Sequence, residues 1–142
     1  MAMNYGNVYV AQVCMGADNA QVVKAFAEAE SYKGPSLIIA YATCINHGID
    51  MSKGMAEGKK AVDAGYWQLY RFDPRLKEQG KAPFQLDSKD PMGSYREFIE
   101  SETRYASLKK ADPATAATLF ERAEAEAKAR LETYKYKAQQ SK

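Results

Sequence analysis

An apolar run without alternation, Leu37-Ile38-Ile39-Ala40-Tyr41-Ala42, constrains this chain more than any other feature. A strand with one face in water alternates apolar and polar residues; this run does not, and reads as a strand covered on both faces. Gly34-Pro35 stands before it and cannot continue a helix, so the preceding helix stops near Ser31 to Lys33. That helix begins at Asp18 or Asn19, either of which can cap it, and shows Val22, Val23, Phe26, Ala27 and Glu30 at helical spacing. Before it, Tyr5 to Val13 is rich in β-branched and aromatic residues and reads as a strand. Beyond the apolar run, Cys44 to Asp50 forms a loop, and Met51, Met55, Lys59, Val62 and Ala64 fit a helix ending at Gly65. Tyr66 to Phe72 supplies a third strand.

Strand–helix–strand–helix–strand predicts an α/β fold with a partial parallel sheet of about three strands and right-handed crossovers, over residues 1–72. A sheet that small keeps open edges and an uncovered face, so more chain or a partner subunit is expected to complete it. Residues 73–93 hold Asp73-Pro74, Gly80, Pro83, Asp90-Pro91 and Gly93, a density that predicts an extended arm anchored by Leu76, Phe84 and Leu86. Residues 94–142 are expected to be helical. Ser94 caps an amphipathic helix through Tyr95, Phe98, Ile99, Tyr105 and Leu108, with Glu97 at the capping-box position. Asp112-Pro113 opens another, whose stripe runs from Ala116 through Leu119, Phe120, Ala123, Ala127 and Leu131 to Tyr134 before a fraying tail at Lys135 to Lys142.

Composition removes several function classes. The chain has 142 residues, one domain's worth, and its 20 basic against 18 acidic side chains leave a net charge of +2. That balance lacks the basic field that binds nucleic acid. No apolar run approaches the roughly 20 residues of a membrane span, and no charged, then apolar, leader opens the chain. Cys14 and Cys44 stand thirty residues apart without a CxxC spacing, which argues against a secreted disulfide framework and for a reduced, cytoplasmic setting.

Three irregular segments carry a family resemblance. Ala40-Tyr41-Ala42-Thr43-Cys44-Ile45-Asn46-His47-Gly48 resembles the strand-end turn of the pyruvate:ferredoxin (flavodoxin) oxidoreductases. Tyr5 to Ala11 with Met15-Gly16-Ala17 is similar to the segment before it, and Tyr70 to Leu76 with Gly80 to Lys89 is similar to the arm that follows. The family commonly has Asn at or beside Ala82, a departure without obvious chemical consequence. The resemblance spans about residues 4 to 136. It implies an enzyme that oxidatively decarboxylates pyruvate with coenzyme A to acetyl-CoA and CO2, using thiamine diphosphate, Mg2+ and [4Fe–4S] clusters, and passes electrons to ferredoxin or flavodoxin. This chain would be the C-terminal part of the thiamine-diphosphate-binding domain, and Cys44 would be the fourth ligand of one cluster. The other three ligands, a CxxC pair and a third cysteine, lie upstream in the family. Thiolates are the ligands such clusters need, and strand ends of α/β sheets are where ligands gather. The chain holds neither the GDG motif for thiamine diphosphate nor the other three cysteines, so it is expected to bind neither cofactor alone and to be inactive by itself.

Other residues carry plainer expectations. Cys14 reads as a small core residue. His47, the single histidine, reads as structural, although it and Asn46 lie beside Cys44 and could line the cofactor surroundings. Tyr66, Trp67 and Tyr70 read as core packing rather than a stacking platform. Lys77, Lys81 and Lys89 read as solvated charges, with an acidic ferredoxin or a coenzyme A phosphate as the sharper alternative. The competing reading of the whole chain is a free-standing binding or assembly module that forms a homo-oligomer through its uncovered sheet face.

Overall fold

The computed structural model describes residues 1–45 and 48–140. Among them, strands β1 (Tyr9–Val13), β2 (Ser36–Ala40), β3 (Tyr70–Phe72) and β4 (Phe84–Leu86) form one sheet in the order β2-β1-β3-β4. Helix α1 (Asn19–Ser31) connects β1 to β2, and α2 (Gly54–Asp63), preceded by a 3-10 turn at Met51–Lys53, connects β2 to β3. A single turn, α3 (Arg75–Glu78), lies between β3 and β4; α4 (Tyr95–Ser101), α5 (Thr103–Ala111) and α6 (Pro113–Gln139) complete the chain. The α/β class is as expected.

Local chemistry sets the first crossover. The Asp18 carboxylate accepts from the Gln21 amide at 2.9 Å and caps α1, and Pro35 stands directly before β2. β1 and β2 pair in parallel, from Tyr9 opposite Ser36 to Val13 opposite Ala40. β1 is central and fully buried at Tyr9, Ala11 and Val13, which pack against Val22 and Ala25 of α1. Alternate residues point to the other face, where Val10 meets Tyr70, Phe84 and Tyr134 of α6.

The third strand departs from the parallel sheet expected: β3 runs antiparallel to β1, with Gln12 opposite Tyr70 and Val10 opposite Phe72. The cause lies in α2, which stays at the end of the sheet where β1 and β2 finish. The Trp67 indole N–H still donates to the Val13 carbonyl at 3.1 Å, so the chain has not been carried back to the start of the sheet. From there it can only return in the opposite direction. The strand is also shorter than expected, because Gly65 adopts φ +75° and the Tyr66 and Trp67 amides both close back onto the Ala61 carbonyl.

The segment expected as an irregular arm is ordered by the sheet. After α3 and Gly80, Phe84 pairs with Phe72 and Leu86 with Tyr70, adding a fourth, antiparallel strand. Farther on, the Asp87 and Ser88 amides donate to the Leu69 carbonyl. The C-terminal helices also differ from expectation in two places. The helix capped by Ser94 breaks at Glu102, which takes extended angles (φ −92°, ψ 128°) and separates α4 from α5. The tail expected to fray from Lys135 remains helical to Gln139, because Tyr134 lies against Tyr70 and Phe84 and Ala138 joins the same core. α6 starts at Asp112-Pro113 as read, and the Asp112 carboxylate caps it, accepting from the Thr115 amide at 3.0 Å.

One buried charge network ties the sheet to α1. Arg71 on β3 is 6% exposed and grips Asp87 through two parallel bonds of 2.8 Å, while a third bond of 2.6 Å reaches Glu28 on α1. Tyr9 donates to the same Glu28 at 2.9 Å, and Gln21 donates to Asp87 at 3.0 Å. Asp87 and Glu28 hold the Arg71 guanidinium firmly charged, and burial together with Glu28 pushes the Tyr9 hydroxyl pKa up.

β2, by contrast, is an edge. Leu37 is 42% and Ile39 37% exposed on the face away from α1, beyond the reach of α6, and α1 itself exposes Val23 and Phe26. The run whose sequence calls for cover on both faces lacks it among the described residues.

Candidate functional site

Because β1 and β2 are parallel, both finish at the same end of the sheet, and the loops after them share one surface. Cys14 to Gly16 follow β1, Tyr41 to Ile45 follow β2, and the N-terminal half of α2 packs against both. The seam between them is made of small residues. A Cβ on Gly16 would overlap the Met55 carbonyl, one on Gly54 would come within 2.7 Å of the Thr43 hydroxyl, and one on Gly58 within 2.9 Å of the Cys14 sulfur. Cys14 is 1% exposed, and burial raises its thiol pKa. It is the core residue that the sequence suggested.

Between the loops lies an open groove of about 430 Å3, lined by Val22, Phe26, Met51, Met55, Ala40 and Ala42 among others. Met15, Met51 and Met55 are each about half exposed along it, and Ile45 is 75% exposed just beyond. The groove is apolar, with adaptable methionine side chains, and suits a packed protein surface better than a charged small molecule.

Cys44 stands two residues before Asn46 and its side chain is exposed. The Tyr41 amide continues the β2 ladder by donating to the Val13 carbonyl at 2.9 Å, and Thr43 seats against Gly54. Cys44 is thus presented outward from a backbone fixed at the strand end. Asn46 and His47, read as possible neighbours of a cofactor, lie outside the described residues. Among those described, no cluster of three or more His, Cys, Asp or Glu side chains is placed to hold a metal ion.

The surroundings of Cys44 fit one thiolate ligand of a cluster. The donor is the right kind, it is accessible, and it lies where ligands of α/β folds gather. A complete ligand set would have to draw on residues outside those described. Its exposure predicts a measurable contrast: iodoacetamide should modify Cys44 at least about tenfold faster than Cys14 at neutral pH, read by peptide mass spectrometry. Equal rates would contradict the placement of both residues.

The remaining candidates divide as expected or gain an unforeseen role. Trp67 and Tyr70 are packed, Trp67 against Tyr41 with ring centroids 5.5 Å apart and Tyr70 against Phe84 at 5.1 Å. Tyr66 packs on Phe98 at 5.0 Å and also shares a hydrogen bond with the Tyr105 hydroxyl at 3.1 Å. Lys77, Lys81 and Lys89 are exposed; of the three, Lys89 lines a polar cleft with Asp18 and Asp87. Sequence reasoning missed Glu102. It is a carboxylate 2% exposed, 2.6 Å from the Arg104 guanidinium and 3.3 Å from the Tyr41 hydroxyl, whose pKa burial and the Glu102 charge push up. A glutamate within a predicted helix reads as solvated, and nothing local signals its burial.

No helix of the described residues is long and apolar enough to cross a membrane. No protein-family model matches the chain. Individual proteins do. A pyruvate:ferredoxin oxidoreductase of Moorella thermoacetica is 62% identical over 135 residues, covering 95% of this chain and 12% of the relative. A pyruvate-flavodoxin oxidoreductase of Klebsiella pneumoniae is 55% identical over 137 residues, with the same two shares. A mitochondrial pyruvate dehydrogenase [NADP(+)] of Euglena gracilis is 56% identical over 115 residues, 80% of this chain and 6% of the relative. The chain therefore spans about one-eighth of the first two relatives' length.

Proposed function

We propose, from the premise that this chain is homologous to one segment of the pyruvate:ferredoxin and pyruvate-flavodoxin oxidoreductases, that it works as that segment and is inactive alone. In the whole enzyme the reaction would be oxidative decarboxylation of pyruvate with coenzyme A, with electrons leaving to ferredoxin or flavodoxin in the cytoplasm. Thiamine diphosphate and its Mg2+ would be held by the remainder of the enzyme, in which this chain forms the C-terminal part of the thiamine domain. Cys44 would contribute one of the four thiolates of a [4Fe–4S] cluster. When bound, such a cluster takes up and passes on single electrons. The work of this chain's own residues is positional. β1, β2 and α2 fix the backbone that presents the Cys44 sulfur, and the methionine-lined groove would exclude water once covered.

The observation that carries this reading is the placement of Cys44, exposed at the carboxyl end of a parallel strand pair. The exposed Leu37 and Ile39 support the same reading: a segment of the remaining enzyme would pack over that face of β2, and another strand would pair with its open edge. Anaerobic treatment of this chain with iron and sulfide provides the test. The expected result is no stable [4Fe–4S] absorption or paramagnetic signal, since one cysteine cannot replace four. A stable cluster at one per chain would overturn the claim that the segment depends on other residues. The uncovered face of β2 at Leu37 and Ile39 also favours the alternative of a homo-oligomeric assembly module. Light scattering on the purified chain separates the two, because a stable dimer that protects the β2 amides from exchange would favour the module.

A further inference from the structure

The backbone on either side of Cys44 meets two consecutive residues from the junction of α4 and α5. On one side, the Tyr41 hydroxyl donates to the Glu102 carboxylate at 3.3 Å, across 61 positions. On the other, Gly48 adopts φ +70° and lies so close to Thr103 that a Cβ there would overlap the threonine hydroxyl. Glu102 is the break between α4 and α5, where it leaves helical geometry, and Thr103 opens α5. An extended residue inside an otherwise continuous helical pattern needs a reason, and a buried carboxylate needs partners. Both needs meet here. Arg104 donates to Glu102 at 2.6 Å and to the Tyr66 hydroxyl at 3.1 Å, Tyr66 shares a hydrogen bond with Tyr105, and Arg104 lies 4.8 Å over the Tyr105 ring.

We infer that Glu102 is a positioning residue. Through Tyr41, with Thr103 against Gly48, it fixes the backbone at Tyr41 and at Gly48, on either side of Cys44, so that the Cys44 sulfur meets the rest of its ligand set. The C-terminal helices thereby act on the cluster position without contributing a ligand. This inference rests on the reading of Cys44 as a ligand.

The test uses the complete oxidoreductase carrying this segment, with Glu102→Ala, Tyr41→Phe and Cys44→Ser compared side by side. Tyr41→Phe keeps the ring packed on Trp67 and removes the hydroxyl alone, so it remains informative where Glu102→Ala fails to fold. Two readouts are taken: amide exchange of peptides within 42–50, and the paramagnetic spectrum and midpoint potential of the cluster whose signal Cys44→Ser alters. Loss of a buried hydrogen bond to a charged group should speed loop exchange about tenfold. The potential should move as well, while exchange in β1 and α1 stays unchanged. Unchanged loop exchange and potential in both folded variants would overturn the positioning role. If Cys44→Ser alters the cluster signal and the other variants do not, positioning alone fails. If Cys44→Ser leaves every cluster signal intact, the ligand reading fails and takes the positioning role with it.

Discussion

Arg71→Ala should be the most damaging single stability change in this chain, costing about 3–5 kcal/mol and lowering the melting temperature by roughly 10 °C. The substitution removes the cation from two carboxylates that remain largely buried, Glu28 on α1 and Asp87 beyond β4. Their side chains are 23% and 16% exposed, so water cannot replace the guanidinium fully. Arg71→Lys should fall between, because an ammonium keeps the charge but not the paired geometry toward Asp87. Combining Arg71→Ala with Glu28→Gln should be less than additive, since the second change removes one of the uncompensated charges. Chemical denaturation of these three variants and of Glu28→Gln alone measures all of this. A loss under 1 kcal/mol for Arg71→Ala would show that the network is not a structural tie.

Gly16→Ala should cost about 2–3 kcal/mol, a large effect for adding one methyl group. The new Cβ would overlap the Met55 carbonyl and lie 2.9 Å from its carbon, and neither belongs to a flexible side chain that can swing away. Helix α2 must then shift, and with it Gly54, against which Thr43 beside Cys44 is seated. The expected signature is lower stability together with faster exchange of amides after β2. If Gly16→Ala matches wild type in both, the seam between the loops and α2 is looser than the geometry states.

What the sequence made legible follows from the range of the physics involved. Asp18, Gly34-Pro35, Ser94 and Asp112-Pro113 act within a few residues of themselves, and each marks an element end where expected. The direction of β3 was not legible. It depends on α2 staying at one end of the sheet, which rests on Gly16 and Gly58 meeting Met55 and Cys14, far along the chain. The segment after Asp73 carries the Pro and Gly content of an irregular arm, yet Phe84 and Leu86 find a strand to pair with, and pairing outweighs composition. Two of the three matched segments contribute Tyr9, Arg71 and Asp87 to a single network, a physical reason for their agreement that no local pattern exposes. Cys44 was singled out because its loop has a distinctive sequence; the contact of Glu102 with Tyr41 was not legible, because it joins residues 61 positions apart.

Cys44→Ser in the complete oxidoreductase tests the central claim most directly. The variant should retain its fold and lose or alter the low-temperature paramagnetic signal of one [4Fe–4S] cluster, with electron transfer to the acceptor falling accordingly, because a serine oxygen is a poor substitute for a thiolate. Every cluster signal at full intensity, with unchanged electron transfer, would contradict the assignment of Cys44 as a ligand.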